Sequence, residues 1–142
     1  MLPEQKSKVG TTGFVKNRRI LITGASKGLG AVAAEAFAER GARLVLLARS
    51  HDKLESVRQS CMDPERHLSI SVDLLDLEQL QQAVFKAKEF LGDIDVILHS
   101  AGGGLGLGDH LLEHGDFLRL FALNLGAAAE INRLVAPEMK ER

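Results

Sequence analysis

Four short apolar runs recur at an even pitch along the chain: Ile20–Thr23, Leu44–Leu47, Leu68–Val72 and Ile94–Leu98. Three of them do not alternate apolar with polar positions, while Leu68–Val72 carries Ser69 and Ser71 between its apolar residues. A continuous apolar run suits a strand covered on both faces, as in a parallel sheet. The stretches between them carry helical spacing. Leu29, Ala33, Ala36 and Phe37 fall on one helix face, and Gly41 follows as the stop. Ser50 stands where an N-cap would open a second helix bearing Leu54 and Val57, closed by Asp63-Pro64. Asp76 and Gln79 form a capping pair ahead of Leu77, Leu80, Val84, Ala87 and Leu91, with Gly92 as the stop. A last helix is expected from about Asp116 to Ala136, with Phe117, Leu120, Phe121, Ala128, Ile131 and Val135 as its apolar stripe and Asn124 on that stripe. The order β-α-β-α-β-α-β-α predicts a Rossmann-like α/β fold, a parallel sheet with helices on both faces. Its ligand crevice is expected at the C-terminal ends of the strands.

A chain of 142 residues has the size of one domain. Residues 1–17 are polar and are expected to form a flexible arm, leaving 18–142 as the Rossmann-type domain. The arm has no apolar run of signal-peptide length, and Glu4 with the lack of an arginine-rich pattern argues against a targeting role. A formal net charge of −1 gives no long-range attraction to nucleic acid or to an anionic membrane, and no stretch reaches transmembrane length. The single cysteine, Cys61, cannot form an internal disulfide, and no zinc-ligand spacing is present. A reducing, cytoplasmic setting is expected.

The candidate chemistry begins where Ile20-Leu21-Ile22 runs into Thr23-Gly24-Ala25-Ser26-Lys27-Gly28-Leu29-Gly30. A strand that stops at a glycine turn and restarts as a helix aims backbone N–H groups at a phosphate. The glycines are spaced G-x-x-x-G-x-G, unlike the G-x-G-x-x-G of the commoner dinucleotide fingerprint. The second run ends in Ala48-Arg49-Ser50, without the acid that would bond a ribose 2′-OH. Arg49, with Lys27 in the glycine loop, instead suits a 2′-phosphate and favours NADP. Two solvated surface cations are the plainer alternative. After the fourth run, Ala101 to Gly108 holds five glycines in eight residues, a segment that either approaches a ligand or moves. His110 and His114, near Asp109, Glu113 and Asp116, lie in a glycine-rich loop and read as a solvated edge, so no metal site is expected.

With Thr23 in front, the glycine pattern resembles the cofactor loop of the short-chain dehydrogenase/reductase family, and the resemblance covers Arg19 to Arg142, the cofactor-binding half of that family. It implies hydride transfer between a nicotinamide and a carbonyl or hydroxyl of a small molecule. It places Gly24, Ser26, Lys27, Gly28, Leu29 and Gly30 on the cofactor, with Arg49 beyond them and Asp73 beside Leu74 at the adenine. Asp73 could equally cap a turn. His99-Ser100-Ala101-Gly102 matches the family's Asn-Asn-Ala-Gly, with both asparagines replaced, and leaves Ser100, Ala101 and Gly102 against the ribose. Leu123-Asn124-Leu125-Gly126 matches the segment whose Asn holds a catalytic water, making Asn124 the catalytic candidate. The family's proton donor is the Tyr of a Tyr-x-x-x-Lys motif, and these 142 residues contain no tyrosine. Three origins are consistent with that: a truncated reductase, half of a split protein, or a catalytically silent binding or interaction module. For the last, the small Gly126-Ala127-Ala128-Ala129 face would pack against a second copy, as the corresponding helix does in the family.

Overall fold

The computed structural model describes residues 13–108 and 111–142. Its strands are β1 (Arg19–Thr23), β2 (Arg43–Ala48), β3 (Leu68–Ser71) and β4 (Val96–His99), and its main helices are α1 (Gly28–Glu39), α2 (His51–Ser60), α3 (Leu77–Leu91), α4 (His114–Phe121) and α5 (Ala127–Lys140). The strands pair in parallel in the order β3-β2-β1-β4. The chain thus steps outward from β1 to β3 and then returns to place β4 on the other side of β1. That reversal opens a crevice at the C-terminal ends of β1 and β4.

The continuous apolar runs serve both faces. Ile20, Ile22, Leu44 and Leu46 pack with Ala34 and Ala38 of α1 and Leu54 of α2. Their alternates Leu21, Val45 and Leu47 pack with Leu80, Val84 and Ala87 of α3 and Ile131 and Val135 of α5. The expected α/β architecture, with helices on both faces of a parallel sheet, is the one observed.

Several local expectations are corrected. On α1 the buried ridge is Gly30, Ala34 and Ala38, while Leu29 is 72% exposed. Small residues at i, i+4 and i+8 let the helix lie close to the sheet, which a leucine there would prevent. Ser50 occupies the N-cap position of α2 but makes no side-chain capping bond, and α2 ends at Ser60, with Pro64 opening a short 3-10 turn instead. β4 begins at Val96 and not Ile94, because the Asp95 carboxylate takes the Arg19 N–H that a ladder carbonyl would otherwise accept. The last helix begins at His114 and is interrupted by a π-turn over Ala122–Gly126. Residues 1–12 of the expected arm lie outside the described residues. Its remaining part is a turn held to the domain: the Asn17 N–H donates to the Gly41 carbonyl (3.0 Å), and Val15 packs on the core. The Asp76 cap forms as expected, its carboxylate accepting from the Gln79 N–H at 3.0 Å.

One buried polar side chain stands out. His67 is 4% exposed; its Nδ1 accepts from the Leu44 N–H (3.2 Å), and its Nε2 lies 2.9 Å from the Met62 carbonyl. Those partners select the neutral tautomer with the proton on Nε2. Burial pushes its pKa below the ordinary histidine value. Above about pH 6.5 the imidazole is neutral in both states. Below that, the unfolded chain takes up a proton that the folded chain resists, so stability falls with pH. Denaturant melts of the native chain should therefore show a lower midpoint at pH 5 than at pH 7.5. His67→Gln should be about 1–2 kcal/mol less stable at pH 7.5, through the weakened bond to Leu44, but flatter over that interval. An equally steep decline in the variant would place the pH sensitivity elsewhere.

Candidate cofactor crevice

The crevice is built first from close backbone packing. Gly24, at φ +66°, sits so near the segment after β4 that a Cβ would come within 2.7 Å of Ala101 Cα and the Ser100 carbonyl. A Cβ on Gly30 would lie 2.4 Å from the Gly24 carbonyl oxygen. Thr23, buried at the end of β1, joins the two sides. Its Oγ1 accepts from the N–H groups of Ser100 and Ala101, both at 3.2 Å. Gly28 is different in kind: it holds φ +56° with open space where its Cβ would be. That gap, at the opening of α1, fits a phosphate approaching the backbone.

These walls enclose an open crevice of about 870 Å³. Gly24, Ser26, Lys27, Gly28 and Leu29 line one side, and Ser100, Ala101 and Gly102 line another. Arg49 and Leu74 complete the expected group. Two expected residues stand back from the wall. Gly30 is spent on helix packing. Asp73 turns its carboxylate to the Leu75 N–H (3.0 Å), the turn-capping use left open from the sequence. Lys53, Ser50, Ala48, Val72, His99 and Leu123 also line the crevice, beyond the residues expected there. For Lys53 a signal existed, since it falls in the first turn of the helix that follows Arg49.

The electrostatics are one-sided. Three of the lining residues are cationic, Lys27, Arg49 and Lys53, and no lining residue is a carboxylic acid. The chain has ten arginines, all among the described residues. Nine direct the guanidinium to a carboxylate, a backbone carbonyl or a ring. Arg49 has no side-chain partner among the described residues.

Asn124 is not on a buried stripe as expected; it is exposed, inside the π-turn. Its amide is nonetheless occupied. Oδ1 accepts from the Gly103 N–H (3.0 Å), and Nδ2 donates to the carbonyls of Gly103 (3.0 Å) and Leu120 (2.9 Å). The side chain thus pins the peptide that follows the crevice wall. His99 Nε2 lies 2.9 Å from Asn132 Oδ1, which gives the imidazole a partner that the sequence did not reveal. Cys61 is buried, and desolvation pushes its thiol up to about 11, so it is no nucleophile at neutral pH. Asp109 and His110 of the weighed metal cluster lie outside the described residues. Among those described, no group of three potential metal ligands gathers.

A family profile described as short chain dehydrogenase matches residues 18–142. The chain belongs to the short-chain dehydrogenase family. A fatty acyl-CoA reductase of Mycobacterium tuberculosis is 34% identical over 128 residues, covering 88% of this chain and 44% of that protein. L-Sorbose reductase from Gluconobacter frateurii, solved with NADPH and L-sorbose, matches with a TM-score of 0.78 at 27% identity, covering 89% of this chain and 49% of that one. A 3-ketoacyl-(acyl-carrier-protein) reductase from Brucella melitensis, solved with NADH, matches with a TM-score of 0.79 at 26% identity, covering 89% of this chain and 52% of that one. The chain spans less than half the length of the curated relatives it matches. Short-chain dehydrogenases bind a nicotinamide dinucleotide, and the crevice with its open Gly28 corner suits that group.

The two kinds of glycine separate by experiment. Gly30→Ala drives a methyl into backbone and should cost about 1–3 kcal/mol of folding stability by denaturant melt. The Cβ of Gly28→Val points into open space in the free protein, so the variant should keep the native far-ultraviolet circular dichroism spectrum, at about 1–2 kcal/mol for its left-handed backbone. It should still lose cofactor binding by calorimetry. Full binding by Gly28→Val would make the loop a turn and nothing more.

Proposed function

We propose that this chain is the NADP(H)-binding portion of a short-chain reductase-type oxidoreductase, whose complete form moves hydride between the nicotinamide and a carbonyl or hydroxyl of a small molecule. The observation that carries the reading is the guanidinium of Arg49, without a side-chain partner among the described residues, in a crevice lined by two more cations and no acid. An NAD-selective site places a carboxylate at the end of β2 to bond the ribose 2′-OH. Arg49 at that place could give the 2′-OH of NADH only a single bond to a neutral oxygen, whereas a 2′-phosphate offers it two charged oxygens.

In this reading Gly24, Ser26, Gly28 and Leu29 hold the pyrophosphate, with N–H groups at the start of α1 supplying donors, and Lys27 stands with Arg49 toward the 2′-phosphate. Val72 and Leu74 give the adenine an apolar wall. Ser100, Ala101 and Gly102 lie along the ribose, held in place by Thr23. Bound NADPH supplies the hydride; the residues of this span bind and orient it. Asn124, with both amide protons already used on carbonyls, acts as a positioning residue for the Gly103 peptide and not as a proton carrier. No phenol exists in these 142 residues to protonate a carbonyl oxygen.

A second reading, a catalytically silent interaction module, draws on a different observation. Phe117, Leu118 and Phe121 of α4, with Leu125 of the π-turn, are all at least half exposed. The small-residue face expected to receive a second copy is partly spent inward, since Ala127 is in the core, so these larger side chains would form the contact.

NADPH should bind more tightly than NADH by calorimetry, and Arg49→Ala should cost about 1.5–3 kcal/mol for NADPH and little for NADH. Equal losses for both cofactors would sink the NADP assignment. The purified 142-residue chain should bind NADPH without oxidising it in the presence of a panel of aldehydes and ketones. Robust turnover, abolished by changing His99 or Ser100, would instead reveal a proton donor within this span.

A further inference from the structure

We infer that Lys53 is a specificity-determining residue, a further cation that joins Arg49 and Lys27 at the 2′-phosphate. The inference rests on the NADP(H) reading above and deepens it. Lys53 is the third residue of α2, four positions after Arg49, and the two line the same crevice with Ser50 between them. Leu54, next to it, is fully buried in the core beneath α2, so packing sets the rotation of the helix and thereby the place of Lys53. No ion pair holds it there: among the described residues Lys53 has no side-chain partner.

Among the described residues no acid is paired with it, and the nearby ones have other contacts. Glu55 accepts from Arg58 (2.6 and 2.9 Å), Gln59 (2.9 Å) and Ser69 (2.8 Å). Asp52 lies against the imidazole of His51 (3.3 Å). Asp73 caps its own turn. The end of β2 therefore presents a guanidinium and an ammonium together, with no carboxylate among the residues lining the crevice. A guanidinium offers a fixed fork to two phosphate oxygens, while an ammonium on a flexible stem can reach a remaining one. One dianionic phosphoryl group suits that pair better than a neutral hydroxyl does.

The test compares NADPH, NADH, 2′,5′-ADP, 3′,5′-ADP and 5′-AMP by calorimetry, on the full chain and on Lys53→Gln and Lys53→Arg. Lys53 is exposed, so neither change disturbs the core. Lys53→Gln should weaken NADPH and 2′,5′-ADP by about 3- to 10-fold while leaving NADH and 5′-AMP unchanged, and Lys53→Arg should restore most of the preference. If the unaltered chain shows no preference for NADPH over NADH, the NADP reading itself fails, and this inference with it. If that preference exists and Lys53→Gln retains all of it, Lys53 plays no part and the NADP reading stands on Arg49 and Lys27. A loss shared equally by NADH and 5′-AMP, or 3′,5′-ADP binding as tightly as 2′,5′-ADP to the unaltered chain, would likewise overturn the assignment to the 2′ position.

Discussion

The crevice depends on the contact between the turn after β1 and the segment after β4. Two glycines make it, Gly24 against Ser100 and Ala101 and Gly30 against the Gly24 carbonyl, and in both places a single added carbon would strike backbone. Thr23 then ties the same two segments with its hydroxyl, accepting two N–H groups that would otherwise lack a partner at the end of the sheet. Backbone held this closely leaves the opening of α1 free at Gly28. The site thus follows from where side chains are missing as much as from where they are present.

Charge is handled oppositely at the two ends of the sheet. At the N-terminal end, Arg19 donates to Asp95 at 2.7 and 2.9 Å, and Arg142 reaches Asp93 at 2.8 Å and Asp95 at 3.0 Å, so cations and acids close on one another. The Asp95 carboxyl is held well below the usual carboxylate range, chiefly by its hydrogen bond from Arg19. At the C-terminal end, Lys27, Arg49 and Lys53 meet no acid on the crevice wall. A surface cation without a countercharge adds little to folding, so this arrangement makes more sense as recognition than as stability.

The glycine segment after β4 is controlled from a distance in sequence. Asn124, inside the π-turn over Ala122–Gly126, bonds both polar groups of Gly103 and also donates to the Leu120 carbonyl of the preceding helix. A Cβ on Gly102 would fall 2.8 Å from Asn124 Oδ1, so that glycine is needed for the clamp to close. The irregular helix and the glycine-rich wall are two halves of one arrangement.

Hydrophobic spacing alone determined the order of elements, the doubly covered parallel sheet and the place of the glycine turn, because these follow from local geometry and burial of continuous apolar runs. Arg49 and Lys27 were legible for a similar reason, being anchored to the ends of β2 and the loop after β1. What required the tertiary structure were the contacts between distant segments. Leu29 and Gly30 exchanged their expected roles because closeness to the sheet, not apolar character, decides which side of α1 turns inward. Asp73 was drawn to a neighbouring N–H, Asn124 to a peptide twenty-one residues away, and Lys53 to the crevice by the burial of Leu54. Sequence periodicity reports which face of an element is apolar. Which polar groups then find one another depends on how elements cross in space, and no local pattern carries that information.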